Sequence, residues 1–407
     1  MANPSIPWPA LVLVLIATLC HSIYGETYEC SLEPYGHEQS TFCVFRGVQY
    51  PRNSSGSTEF KAPPGKHTRV VFEDSEMMDL PREFLEKFGQ DLKVLNVGGC
   101  KLRSVVITPA LEELYAIDNY IEKIIVHQAG SSSPLREIHL QSNRLRDISN
   151  VTKSCKNVRI VDLSRNQQLA ADNEIDLFMF DGFEQLEYLL MADVGALYLK
   201  TEKVPKMPAL TLLDFSMNNL LASDLKVDYF QNFERLSVLR LNDNGFSEIE
   251  YQDFVDVKSL KQVYLEGNLF ECGYLLKMKK FLETENNITL PVARPAGNCA
   301  IGYRVEAGMC CKNEELLVAG MPTKAGGPPM SVPATVTTPR NTFAGTPSGD
   351  NLRTGKDSSR DVMHEAGSSN GIMVNNKSDS KSNGARINRW TVGLSSVMIV
   401  SLLLLNP

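Results

Sequence analysis

The residues of this 407-residue chain best suited to covalent chemistry are its nine cysteines. Cys310 and Cys311 are adjacent. A bond between neighbours closes a strained ring, so each must find a partner elsewhere. Cys30 and Cys43 lie close together near one end, and Cys272 and Cys299 towards the other. Read as two disulfides, Cys30–Cys43 and Cys272–Cys299, they leave Cys310, Cys311 and Cys155 once Cys100 is set aside as a buried thiol. That remainder is odd. One member of the doublet is then expected to close an intrachain bond and the other to be able to link two chains into a disulfide-bonded dimer. The partner of Cys155 cannot be deduced from sequence. The six histidines are scattered, and no His-Glu-x-x-His, Gly-x-Ser-x-Gly or phosphate-loop pattern appears. Nor do the cysteines show paired Cys-x-x-Cys zinc spacing. The expectation is a protein that is not an enzyme, with no catalytic residue, metal site or cofactor. A net charge of −7 argues against nucleic acid or an anionic membrane as a general electrostatic partner.

What would position such residues is a repeat. Leucine, two free positions, leucine, one free, leucine, two free, asparagine, one free, leucine recurs from Leu135, Leu210, Leu236 and Leu260. Its asparagine position holds Asn119, Asn143, Asn166, Asn218, Asn244 and Asn268, with Ser75, Cys100 and Val194 at the same place in less regular copies. The intervals centre on about 24 residues, the length of one leucine-rich-repeat coil. The fold expected is therefore an α/β solenoid: a leucine-rich-repeat horseshoe of about nine coils with a parallel concave sheet and disulfide caps. One coil cannot bury its own apolar edge, so neighbours must stack. In each short strand, alternate side chains point to opposite faces. Leu135, Ile138 and Leu140 go inward while Glu137, His139 and Gln141 face out. The same register turns Tyr115, Asp162, Asp214, Arg240, Tyr264 and Glu266 outward. With His139 and Gln141 they form the expected ligand-binding residues of the concave face, because aromatic and Arg side chains are favoured anchors at protein interfaces. None of them is expected to support the core.

Composition divides the rest. Residues 1–25 carry a short apolar run, Ala10 to Cys20, and are read as a secretory signal peptide. Residues 26–66 form an N-terminal cap, 67–270 the repeats, and 271–319 a cysteine-containing C-terminal cap. In that cap Leu275, Met278 and Leu282 fall on one helical stripe. Residues 320–385 are rich in Gly, Ser, Thr, Pro and Asn and read as a disordered stalk. Residues 386–407 end in an apolar tail, Thr391 to Leu405, too short to span a bilayer comfortably. Small residues, a short polar spacer and a greasy tail form a glycosylphosphatidylinositol (GPI) attachment signal, with Asn383 the first choice of attachment residue and Ser382 and Gly384 close alternatives. The expected location is the extracellular face of the plasma membrane through this lipid anchor, or else secretion. Acceptor sites for N-linked glycans occur at Asn53, Asn150, Asn287 and Asn376, all outside the predicted strands.

Two phrases carry a further resemblance. Val70-Val-Phe-Glu-Asp-Ser75 opens the array and the Cys310-Cys311 doublet follows the C-terminal cap. With the signal peptide and caps, they resemble the extracellular leucine-rich-repeat immune proteins of mosquitoes. The resemblance implies a role in humoral defence. Some members of that family pair through a cysteine near the doublet, carry a complement-like thioester protein and continue into coiled coils. No heptad pattern follows Cys311 here, so the chain resembles the coil-less members. The function expected is a surface-tethered recognition or adhesion protein for an extracellular protein or a pathogen-surface ligand, acting in innate immunity. The alternative is a developmental co-receptor or ligand-presenting surface protein.

Overall fold

The computed structural model describes residues 26–36, 39–50, 58–127, 133–170, 172–292 and 296–313. The expected signal peptide, stalk and lipid-attachment signal, with Asn53, Asn376 and Asn383, lie outside the described residues. Among the described residues no helix is long and apolar enough to cross a membrane.

One 11-stranded sheet runs through the molecule in chain order. It starts with β1 (Ser31–Tyr35), β2 (Ser40–Arg46), β3 (Arg69–Glu73) and β4 (Val94–Asn96). It continues through β5 (Glu113–Tyr115), β6 (Glu137–His139), β7 (Ile160–Asp162) and β8 (Tyr188–Leu190). It ends with β9 (Leu212–Asp214), β10 (Val238–Arg240) and β11 (Gln262–Tyr264). β1 and β2 pair antiparallel, and from β2 onward every neighbour is parallel. This is a leucine-rich-repeat solenoid. The return side carries short parallel strands, Ser104–Ile107 beside Lys123–Val126 and Glu174–Asp176 beside Tyr198–Lys200, and 3-10 turns such as Val227–Asn232 and Tyr251–Asp256. Between the two sides lies a continuous apolar core. At the N-terminal end Phe45, Phe60, Phe72 and Phe84 fill it, Phe72 and Phe84 meeting edge to face at 5.0 Å. Helix α1 (Arg82–Phe88) contributes Phe84 and Phe88, with Pro81 before it and Gly89 after.

The asparagine position is where each coil turns off the sheet. Asn166 is fully buried and its amide is fully used. Its Oδ1 accepts from the Leu145 N–H at 3.0 Å, and its Nδ2 donates to the carbonyls of Leu140 at 2.9 Å and Leu163 at 2.7 Å. The same pattern recurs at Asn119, Asn143, Asn218, Asn244 and Asn268. Ser75 does a smaller version, accepting from Val48 N–H and donating to the Glu73 carbonyl. Cys100 sits buried as a free thiol, 3.8 Å from the Phe72 carbonyl, and burial pushes its pKa up to about 12. At Val194 the amide is missing. There the backbones come close: a Cβ on Gly195 would lie 2.6 Å from the Gln167 carbonyl oxygen.

Turning the amide inward requires an unusual residue just before it. Asp74, Gly99, Asp118, Ser142, Arg165, Asp193, Met217, Asp243 and Gly267 precede the nine column positions, and all have positive φ. Only glycine takes that conformation without steric cost. In the six coils with an asparagine this turn delivers a buried, satisfied amide, with local strain wherever the preceding residue is not glycine.

The ends are closed by disulfides, and here the structure corrects the pairing expected from sequence. Cys30 is bonded to Cys43. Cys272 is bonded to Cys311, not to Cys299, and Cys299 is bonded to Cys310. The reason is a hairpin absent from the sequence reading, β12 (Tyr303–Glu306) against β13 (Met309–Lys312). Neighbours on a strand point to opposite faces. Cys311 therefore turns inward to Cys272 on α3 (Cys272–Lys279), while Cys310 turns to Cys299. Both members of the doublet are used within the chain, so neither is free to link chains, which corrects the expected dimer bond. The hairpin is stitched to the last coil by Lys312 N–H to the Phe270 carbonyl at 2.8 Å. Leu275, Met278 and Leu282 are all buried beneath it. Among the described residues Cys100 and Cys155 are the free cysteines, and both are buried.

Two outcomes are expected. Asn166→Ala strands one N–H and two carbonyls in the core and should lower stability by about 2–4 kcal/mol, since each buried orphan costs about 1–3 kcal/mol. Met217→Gly relieves an exposed residue at φ 56° and should raise stability slightly, by up to about 1 kcal/mol. Urea denaturation of both variants checks this; equal effects would contradict the role given to the ladder. Secondly, the purified protein should run as a monomer on non-reducing gels, with Cys100 and Cys155 reacting with thiol reagents only after denaturation. A disulfide-linked dimer surviving in the Cys100→Ser, Cys155→Ser double variant would disprove the doublet assignment.

Candidate functional site

The concave face is built by one rule. Strand residues alternate, and each inward leucine or valine is followed by an outward residue lying beside its counterpart in the next coil. The register confirms the rows: Tyr115 lies beside His139, His139 beside Asp162, Leu190 beside Asp214, Asp214 beside Arg240, and Arg240 beside Tyr264. Gln141 and Glu266 lie two residues further along their chains, on the same face.

The expected face is one row in sequence but two clusters in space. In the first, the rings of Tyr115 and His139 stack at 4.7 Å with only 6° between their planes. That distance is the spacing between neighbouring strands. The Tyr115 hydroxyl bridges two carboxylates, Glu113 at 3.2 Å and Glu137 at 3.3 Å. These two are cross-strand partners, an arrangement that repels unless something stands between them. His139 Nε2 lies 3.5 Å from Glu137, and Asp162 accepts the backbone N–H of Ser164. The second cluster is an ion pair with a ring beneath it. Arg240 Nη1 lies 3.2 Å from Asp214 Oδ2, and the guanidinium stands 5.3 Å over the Tyr264 ring. Ser216 donates to Asp214 at 2.6 Å. Leu190 and Ala192 separate the two clusters.

Burial corrects the picture of a solvent-facing row. His139, Asp162, Asp214 and Tyr264 are only 2–4% exposed, and Gln141 and Glu266 are also buried. Tyr115 and Arg240 keep partial exposure. Stacking and ion pairing across strands spaced so closely shield the side chains beneath. These residues therefore hold one another as well as the face they present. The electrostatics follow. Burial raises the pKa of Asp162, with nearby Asp214 adding to it. Burial, then Glu137, raises that of Glu113. Glu137 is held below its ordinary value by its bond to His139. Burial and the two flanking carboxylates raise Tyr115.

Sequence reasoning turned Glu137 outward but did not place it in the site, and it missed Glu113, which the same alternation extended two residues towards the strand start would have found. It also missed an apolar patch at the N-terminal end, where Phe42, Val44, Val71 and Val94 cluster with Tyr35 and Tyr115. Two glycan acceptors lie within the described residues. Asn150 is on α2 (Ser149–Ser154), which packs against Lys123–Val126 on the return side. Its Nδ2 donates to the Ile124 carbonyl. Asn287 is exposed just beyond α3 and its following turn. Among the described residues no group of three or more His, Cys, Asp or Glu side chains could hold a metal ion.

No protein-family model matches the chain, and no curated protein sequence matches it. Solved structures do. The leucine-rich repeat domain of APL1B is similar at 20% identity, covering 76% of this chain and 99% of that one with a TM-score of 0.43. The LRIM1/APL1C complex is similar at 19% identity, covering 72% of each chain with a TM-score of 0.38. Human 5T4 (Wnt-activated inhibitory factor 1, trophoblast glycoprotein) is similar at 19% identity, covering 71% of this chain and 95% of that one with a TM-score of 0.43.

Proposed function

We propose that this chain is an extracellular recognition protein that binds a protein or microbial-surface ligand through its concave face. The observation that carries the reading is the pair of polar clusters, Tyr115–His139 and Asp214–Arg240–Tyr264. A surface kept only for solubility does not bury histidine, carboxylate and tyrosine side chains in ordered stacks. Pre-set aromatic and Arg anchors are what binding surfaces use, because little side-chain freedom is then lost on association. Disulfides at both caps support an oxidising, extracellular setting. Glycans at Asn150 and Asn287 would leave the concave face clear. The sequence resemblance to mosquito immune proteins supports a role in innate immunity, among the members without coiled coils. The small-residue site around Asn383 and the apolar tail support tethering to the cell surface by a lipid.

Tyr115→Ala and Arg240→Ala should each weaken ligand binding by about 2 kcal/mol, roughly thirtyfold in Kd, with the fold intact. Leu140→Ala should instead cost about 2–5 kcal/mol of stability through a core cavity. Binding and melting measured on the same variants, with a ligand from an extracellular binding screen, decide the matter. Normal binding by both surface variants, with loss on convex-side changes, would reject the concave face. Phosphatidylinositol-specific phospholipase C should release the protein from cells, and an epitope placed after Leu405 should be absent from the mature protein. Retention of that epitope would rule the anchor out.

A further inference from the structure

The two concave clusters differ in one respect that bears on the ligand. The Asp214–Arg240 cluster is neutralised from within by its own ion pair. The Tyr115–His139 cluster is not. It gathers Glu113, Glu137 and Asp162; Arg69 acts electrostatically on Glu113 and Arg159 on Glu137, but each of these cations is also held by another partner. Arg159 forks onto Glu187 at 2.9 Å, and Arg69 stands over the Phe42 ring. Unused hydrogen-bonding atoms lie on the same face as these carboxylates. His139 Nδ1 is buried with no partner. So are both amide atoms, Oε1 and Nε2, of Gln141, a side chain only 7% exposed. Alternation on β6 and its extension puts Glu137, His139 and Gln141 on the same face, with Glu137 beside Glu113, His139 beside Tyr115 and Asp162, and Gln141 two residues further along. Leaving such atoms unpaired is costly in a folded chain. Each such atom calls for an explanation, and a group bound from outside is one.

The unmet requirements specify such a group. In the neutral tautomer that directs Nε2–H to Glu137, His139 Nδ1 is a bare acceptor and calls for a donor. Gln141 Oε1 calls for a second. The surrounding carboxylates call for positive charge. Gln141 Nε2 calls for one acceptor, such as a peptide carbonyl. A guanidinium offers five N–H donors, a fixed plane and a charge that is never lost. An ammonium offers a compact charge without the fork. We propose that the Tyr115–His139 cluster is a specificity subsite for an arginine side chain presented by a basic segment of a protein partner. Glu113, Glu137 and Asp162 would supply the countercharge, and His139 and Gln141 the directional bonds. The proposal rests on the concave-face reading and names the chemistry its N-terminal half selects.

The test uses the full-length purified chain and an octa-arginine peptide, with octa-lysine and octa-glutamate as comparison probes, titrated at physiological salt. Octa-arginine should bind saturably and more tightly than octa-lysine, and octa-glutamate should not bind. Asp162→Asn and Gln141→Ala should each weaken octa-arginine by about tenfold, the worth of one charged or directional hydrogen bond. Glu202→Gln and Glu234→Gln, which neutralise exposed acids off the concave face, should change it by less than about twofold, as surface charges contribute little. Melting curves confirm folding, and Gln141→Ala, which alters no charge, decides alone if Asp162→Asn fails to fold. The assignment is overturned if octa-arginine does not bind, if octa-lysine binds as tightly, or if all four variants behave alike. Should it fail while Tyr115→Ala and Arg240→Ala still abolish binding of a natural ligand, the concave face stands and only the guanidinium is wrong. Should those variants also bind normally, the broader reading has failed with it.

Discussion

The structure depends on keeping the buried backbone satisfied where each coil leaves the sheet. A parallel solenoid pairs its strands along the sheet, but at the turn the chain runs through the interior with N–H and carbonyl groups that no strand can reach. The column amides reach them. Asn166 takes one N–H from the previous coil and gives its two hydrogens to carbonyls of that coil and its own. Repeated from coil to coil, this becomes a ladder of side-chain amides parallel to the sheet. The left-handed residue before each column position is its cost, and it appears in all nine coils. At Val194, one of the three column positions without an amide, Gly195 lets the backbones close in instead.

A ladder has ends, and the ends explain the cysteines. The first strand of the array is covered by the β1–β2 hairpin, held by Cys30–Cys43. The last coil is covered by α3 and the β12–β13 hairpin, locked by two nested disulfides. Closing the loop from Cys272 to Cys311 removes about 4 kcal/mol of unfolded-chain freedom in the chain-entropy view. That is comparable to a large share of a domain's net stability. The doublet is therefore a structural device: one strand delivering thiols to both of its faces.

The concave face inherits its geometry from the same stacking. Identical positions of successive coils come within one strand spacing of each other, so chemistry that is remote in sequence becomes contiguous. Tyr115 stacks on His139, and Arg240 reaches both Asp214 and Tyr264. Proximity also makes these residues mutually supporting. Half of the face neutralises itself. The other half gathers three carboxylates, with unused hydrogen-bonding atoms on the same face. That asymmetry is a property of neighbours, not of any one strand.

The amino-acid sequence by itself determined the solenoid, the register that turns Tyr115, His139, Asp162, Asp214, Arg240 and Tyr264 to one face, and the role of the buried asparagines. These follow from spacing, because a repeat one coil long can satisfy its apolar edge only by stacking. The helical stripe of Leu275, Met278 and Leu282 was legible for the same local reason. The tertiary structure alone decided how Cys272, Cys299, Cys310 and Cys311 pair, because that depends on a hairpin whose strands are too short to announce themselves by alternation. It alone decided that the concave row divides at Leu190 into a neutral and an acidic cluster. It also decided that much of the row is shielded from solvent. Both depend on distances between side chains on different coils, and spacing along one chain carries the direction of a side chain but not the identity of what it meets.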